Sequence, residues 1–170
     1  MRPSCASHVL SAQDRMTTSA PAPTPADVPP GFVPLEIGGD FIGTNGPLWI
    51  RHEGNLVLLG FRVEKRHTNL LGTCHGGMLA TFCDMLLPIS VHRKSAEVGL
   101  RFLPTVTLQI DYLAPAQLGM WIEGEAQVLR VTRTLVFAQG LVTADGTPAV
   151  RTSGILKIGP PFPDRGEVVG

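Results

Sequence analysis

Between Gly76 and Val91 the chain carries Met, Leu, Ala, Phe, Cys or Ile at most positions, with no turn residue before Pro88. A helix that is apolar on nearly every side has no face to give to water, so other elements must enclose it. Thr81, Asp84, Pro88 and Ser90 interrupt the stretch, which is too short and too polar to span a bilayer. Pro88 is expected to kink or end the helix, because it lacks an N–H and its ring clashes with the preceding turn.

The enclosing elements read as strands. Leu48–Arg51 and Leu56–Glu64 are apolar runs separated by the turn sequence His52-Glu53-Gly54-Asn55. Beyond His92-Arg93-Lys94 the period becomes two: Val106, Leu108, Ile110 and Tyr112 alternate with Thr105, Thr107, Gln109 and Asp111. Pro115–Gly119 reads as a turn, Trp121–Arg130 and Arg133–Ala144 as strands, Asp145-Gly146 as a hairpin turn, and Val150–Ile158 as the last strand. The expected class is α+β, an antiparallel sheet of five to six strands wrapped around one central helix. Six prolines stand between Ala20 and Pro34, a composition that cannot build a core. Residues 1–34 are therefore expected to be an N-terminal tail, 35–159 the folded domain and 160–170 a C-terminal tail.

Fourteen basic side chains balance fourteen acidic ones. A neutral chain has no overall pull toward nucleic acid or an anionic membrane, so neither is expected as a partner. Three cysteines without a Cys-x-x-Cys pair suit a reducing compartment. No apolar run follows Arg2, so no signal peptide is read and the expected location is cytoplasmic. Five histidines without a metal-ligand spacing give no reason to expect a metal.

The chemistry concentrates around the start of the helix. Gly76 and Gly77 open it, leaving backbone N–H groups free to meet a developing oxyanion. The same glycines also suit a tight turn with no chemical role. Asp84 is the one carboxylate in the apolar run; buried there it would be costly unless paired, and its pKa would rise as a base requires. The alternative is an aspartate on one solvated edge of the helix, beside Thr81.

The spacing Asn-x2-Gly-x2-His-Gly-Gly-x6-Asp over Asn69–Asp84 resembles the signature of PaaI-type hotdog acyl-CoA thioesterases. The similarity extends through Gly-Phe-Val-Pro-Leu at 31–35, Gly-Pro-Leu-Trp at 46–49 and Asp111–Gly119. It implies a hotdog fold and hydrolysis of an acyl-CoA thioester. The resemblance makes Asp84 the acid/base carboxylate, Gly76 the N–H that polarises the thioester carbonyl and Gly77 its neighbour in the turn. It gives Asn69 the holding of substrate or water, His75 the support of the turn, and Thr105 a hydroxyl that assists the attacking water. Arg130, Arg133 and Lys157 carry charges that suit the phosphates of coenzyme A, each with ordinary solvated surface charge as the alternative. The resemblance implies a binding edge along the 130–135 turn, with Thr134, and the stretch from Tyr112; as part of the substrate coenzyme A leaves no separate cofactor to expect. Arg151 is a further basic candidate, and Phe82, Leu86, Phe102 and Leu103 are candidates for the acyl pocket.

Helix geometry adds an expectation about assembly. Gly76 and Asp84 would lie about 12 Å apart along one helix axis, too far for one chain to bring both to one carbonyl. A homodimer, or a dimer of dimers, with sites shared between subunits is expected. A hotdog hydratase or dehydratase is a competing reading, but those pair a histidine with a distant acid, whereas His75 is followed by Gly-Gly with the acid nine residues on. A non-enzymatic acyl-CoA-binding module is another, and it would need an output domain that a proline-rich tail does not supply.

Overall fold

A computed structural model describes residues 28–37 and 39–162, so most of the expected N-terminal tail and residues 163–170 lie outside the described residues. The elements follow as β1 (Val33–Pro34), α1 (Gly39–Asn45), β2 (Trp49–Glu53), β3 (Leu56–Arg62), a 3-10 turn (Lys65–His67), α2 (Gly76–Lys94), β4 (Thr105–Tyr112), β5 (Trp121–Val131), β6 (Leu135–Ala144) and β7 (Thr147–Lys157). All neighbouring strands are antiparallel, in the order β1-β2-β3-β5-β6-β7-β4. Chain order breaks once: β4, although fourth in sequence, pairs with β7 and closes one edge of the sheet. The β6–β7 hairpin turns on Asp145 and Gly146, whose φ of 46° and 80° are both left-handed, as a tight two-residue turn requires.

Helix α2 lies against the sheet with Phe82, Cys83, Leu86, Leu87 and Val91 wholly buried. Two glycines of the sheet set how closely it lies. A Cβ on Gly154 would stand 2.6 Å from Leu87, and one on Gly124 would stand 2.8 Å from Leu86 and 2.9 Å from Phe82. No side chain fits in either gap, so the helix packs on bare backbone.

The expected helix and strands are found, with differences in detail. There are seven strands, not five or six, because the two-residue β1 pairs with β2; the short α1 also carries no periodicity from which it could be read. Pro88 does not end α2, which runs six residues further to Lys94. Burial of Leu86, Leu87, Ile89 and Val91 on both sides of the proline outweighs the one hydrogen bond it forfeits. The folded body also begins before Leu35: Phe32 is buried with Trp49, Leu58 and Trp121 on the outer side of the sheet, its ring 5.0 Å from that of Trp121. At the other end it continues past residue 159, where the Phe102 N–H donates to the Pro160 carbonyl at 2.9 Å and the Phe162 ring meets His92. Among the described residues no helix is long and apolar enough to cross a membrane.

Candidate active site

The chain approaches α2 through a loop tied at several points. The Asn69 N–H donates to the Thr73 carbonyl at 2.9 Å, the Cys74 N–H to Ala116 at 2.7 Å, and the His75 N–H to His67 at 2.7 Å. The Asn69 carboxamide turns back into this loop, donating to Thr73 Oγ1 at 2.8 Å and accepting from the N–H groups of Leu71 and Thr73. His75 is the N-cap. Its carbonyl accepts from Met78 and Leu79, and its Nδ1 accepts from the Gly77 N–H at 2.9 Å. His75 thus satisfies three of the first four amides of the helix. The remaining amide is that of Gly76, whose N–H meets no acceptor among the described residues.

Tyr112, at the far end of β4, closes over the same glycine. Its hydroxyl donates to the Gly76 carbonyl at 2.8 Å, and a Cβ on Gly76 would stand 3.2 Å from the ring. A cleft of about 330 Å³ opens beside it, lined by Cys74, Gly76, Leu79, Tyr112, Leu113 and Ala114. Cys74 and Leu79 carry no signal in the sequence that marks them as lining. Cys74 is buried, and burial pushes its thiol up to about 11, so it stays protonated near neutrality and cannot serve as a nucleophile.

Asp84 stands two turns further along α2. The Thr105 hydroxyl donates to Asp84 Oδ1 at 2.6 Å, a charge-assisted length. The expectation of a buried carboxylate is corrected: Asp84 is exposed, although Phe82, Cys83 and Leu86 beside it are fully buried. Position 84 faces the edge strand β4, and among the described residues no further strand lies beyond that edge. The solvated-edge alternative holds for the single chain, with Thr105 and not Thr81 as the partner; Thr81 donates instead to the Gly77 carbonyl at 3.0 Å.

Strand β4 is therefore bonded to α2 at both of its own ends, Thr105 to Asp84 and Tyr112 to Gly76. Carboxylate and free amide sit about 12 Å apart along the helix, and one chain does not bring them together.

The basic candidates gather at the Thr105 end. Thr105 pairs with Leu156, Lys157 with Leu135, and Arg130 with Phe137, so the ends of four strands meet there. Arg130, Arg133, Thr134 and Lys157 are all exposed; Arg133 and Thr134 lie in the turn before β6, which starts two residues later than expected. Arg151 is instead paired with Asp111 at 2.7 Å. Of the acyl-pocket candidates, Phe82, Leu86 and Leu103 are buried in the core and only Phe102 is exposed. Among the described residues no three His, Cys, Asp or Glu side chains gather as metal ligands would.

Residues 71–150 match the family model described as Thioesterase superfamily. The chain is 34% identical over 98 residues to acyl-coenzyme A thioesterase 13 of Homo sapiens, an alignment covering 58% of this chain and 68% of that one. The crystal structure of zebrafish thioesterase superfamily member 2 aligns with a TM-score of 0.61 at 29% identity, covering 72% of this chain and 87% of its own. A hypothetical thioesterase protein with coenzyme A from Streptococcus pneumoniae TIGR4 shares the fold, with a TM-score of 0.59 at 19% identity, covering 68% of this chain and 91% of its own.

Proposed function

The chain belongs to the thioesterase superfamily, and from that premise we propose that it hydrolyses an acyl-coenzyme A thioester at a site shared by two copies of the chain. The observation that carries this reading is the Thr105–Asp84 hydrogen bond at one end of β4, with the unsatisfied Gly76 amide beside the other.

The edge strand joins the two halves. β4 lies at the rim of the sheet with Val106 59% and Tyr112 55% exposed, and an open apolar edge is a surface that native proteins cover or pair. Two β4 strands paired antiparallel about their midpoint bring Thr105 of one copy opposite Tyr112 of the other. Asp84 follows Thr105 and Gly76 follows Tyr112, so the carboxylate of one copy faces the free amide of the second.

At that junction Asp84 takes a proton from a water oriented with the help of Thr105, and the water oxygen bonds to the thioester carbon. The carbonyl oxygen gains the negative charge and accepts from the Gly76 N–H of the second copy, with the dipole of α2 behind it. Collapse restores the C=O and breaks the C–S bond, and the thiolate leaves with the proton Asp84 took. The exposed cations Arg130, Arg133 and Lys157 suit the phosphates of coenzyme A. The Asn69 carboxamide supports the loop before α2 and reaches substrate only if it leaves Thr73.

A thiol-release assay over straight-chain and aromatic acyl-CoAs tests the activity; release from none of them defeats the reading. Mixing tests the shared site. Asp84→Asn and Gly76→Ala are each expected to be close to inactive alone, the second because its Cβ would crowd Tyr112, and a mixed dimer holds one intact site. Random pairing then restores about a quarter of wild-type activity. A co-folded mixture no more active than its components means both residues serve one chain.

A further inference from the structure

We propose that His67 is a positioning residue for the oxyanion donor, holding the Cys74–His75 peptide, on which the start of α2 and the Gly76 N–H are anchored, in place through a neutral ring bonded on both sides. The inference rests on the reading of Gly76 as that donor.

His67 is buried and ends the 3-10 turn. Its Nδ1 accepts from the Glu64 N–H at 3.1 Å, so Nδ1 carries no proton. Its Nε2 lies 2.9 Å from the Asn45 carbonyl, which can only accept, so Nε2 carries one. Both nitrogens are engaged, and the Glu64 and Asn45 bonds together fit the neutral Nε2–H tautomer. The Phe61 ring stands edge-on at 5.4 Å. The charges facing the ring are Glu64 and Arg66, themselves paired at 3.1 Å, and Arg66 also bonds the Gly46 carbonyl. From β3 the ring meets Phe61 and the Arg62 backbone, and from α1 the Asn45 carbonyl.

The turn is thereby pinned to the end of α1, and what it pins next is the site. The His67 carbonyl accepts the His75 N–H at 2.7 Å, and the Cys74 N–H is held by Ala116. The next amide along the chain is Gly76, the one left free. The two fixed amides anchor His75 from its N-terminal side. The His75 carbonyl, which shares a peptide plane with the Gly76 N–H, is held by Met78 and Leu79 on the other, so the aim of that N–H depends on where His75 is anchored. A ring that loses its bonds releases the turn, and the Gly76 N–H loses its aim while the residues facing coenzyme A are untouched.

The test uses the whole chain. His67→Phe keeps the ring volume and removes both bonds. The expected outcome is a folded protein with kcat reduced about tenfold and KM within about twofold, because a misaimed donor is felt most in the transition state. Hydrogen exchange at the His75 amide should quicken together with that loss. His67→Gln restores a donor toward Asn45 and should recover part of kcat. A folded His67→Phe with wild-type kcat and unchanged His75 exchange overturns the proposal. If His67→Phe does not fold, His67→Gln decides: wild-type kcat overturns the proposal, while reduced kcat at unchanged KM supports it. Nitrogen NMR of the ring in the wild type must find the Nε2–H tautomer; any other form overturns the proposal. Should the wild type hydrolyse no acyl-CoA, the function fails separately, and exchange at His75 in the two variants still decides whether His67 holds that amide.

Discussion

Thr105 and Asp84 stand 21 residues apart in the chain, yet the hydroxyl of the first donates to the carboxylate of the second across 2.6 Å. The bond joins the edge strand of the sheet to the central helix. It occupies one carboxylate oxygen and leaves the other free of partners among the described residues.

Removing the Asp84 carboxylate should cut turnover sharply with little effect on folding, because Asp84 is exposed and its partner among the described residues is a hydroxyl. Asp84→Asn is expected to lower kcat about a hundredfold or more. Thr105→Val is expected to lower it about tenfold, since the carboxylate survives but loses its orientation. Steady-state kinetics with thermal melts checks both, and a folded Asp84→Asn of near-normal turnover removes Asp84 from the chemistry.

The exposed cations should act on binding alone. Arg133→Ala and Lys157→Ala are expected to raise KM about threefold to tenfold each with kcat within about twofold, as loss of charge-assisted phosphate contacts does. The effect should shrink as salt is added to the assay. A fall in kcat at constant KM would assign these residues another role.

The N-terminal strap should matter for stability. A chain shortened to begin at Leu35 loses Phe32, which covers Trp49, Leu58 and Trp121, and loses the β1–β2 pairing. Phe32→Ala alone is expected to cost about 2–3 kcal/mol. Thermal unfolding of the shortened chain beside one beginning at Val28 is the measurement, and equal melting temperatures would contradict it.

Acid should weaken the fold through His67. Burial first, and then the Arg66 guanidinium, hold its pKa below the usual 6.5, against the opposing pull of Glu64. The unfolded chain takes up a proton near pH 6.5, whereas the folded chain resists until lower pH. The stability His67 contributes is thus complete above pH 6.5 and is lost as pH falls from there toward the folded value. Denaturant melts over that interval should show a decline in the wild type that His67→Gln lacks.

Much of the fold was legible because its signals are periodic. The all-round apolar run at Gly76–Val91 could only be an enclosed helix, and the alternation from Thr105 to Tyr112 gave β4 to the residue. Asp145-Gly146 announced its own hairpin. Other features escaped for physical reasons. Phe32 to Pro34 is too short a segment to show a period, so its packing against Trp121 was invisible. A lone carboxylate among apolar neighbours reads as buried; that Asp84 faces the sheet's rim depends on β4 swapping places in strand order, which no local pattern records. Position alone could not tell that the Asn69 carboxamide is engaged within its own loop. The family resemblance pointed to a hydroxyl at Thr105, but its bond to Asp84 had no signal in the sequence.

The glycines under α2 decide where this protein can be redesigned. With Leu87 2.6 Å from where a methyl on Gly154 would stand, and Leu86 2.8 Å from one on Gly124, the helix is seated to within less than a methyl group of the strands. Enlarging residues on its sheet-facing side would lift the helix and shift Asp84 and Gly76 together. Substitutions that leave that seat undisturbed therefore belong off it, at Phe102 and in the stretch from Leu113 to Pro115, whose side chains face solvent or the cleft.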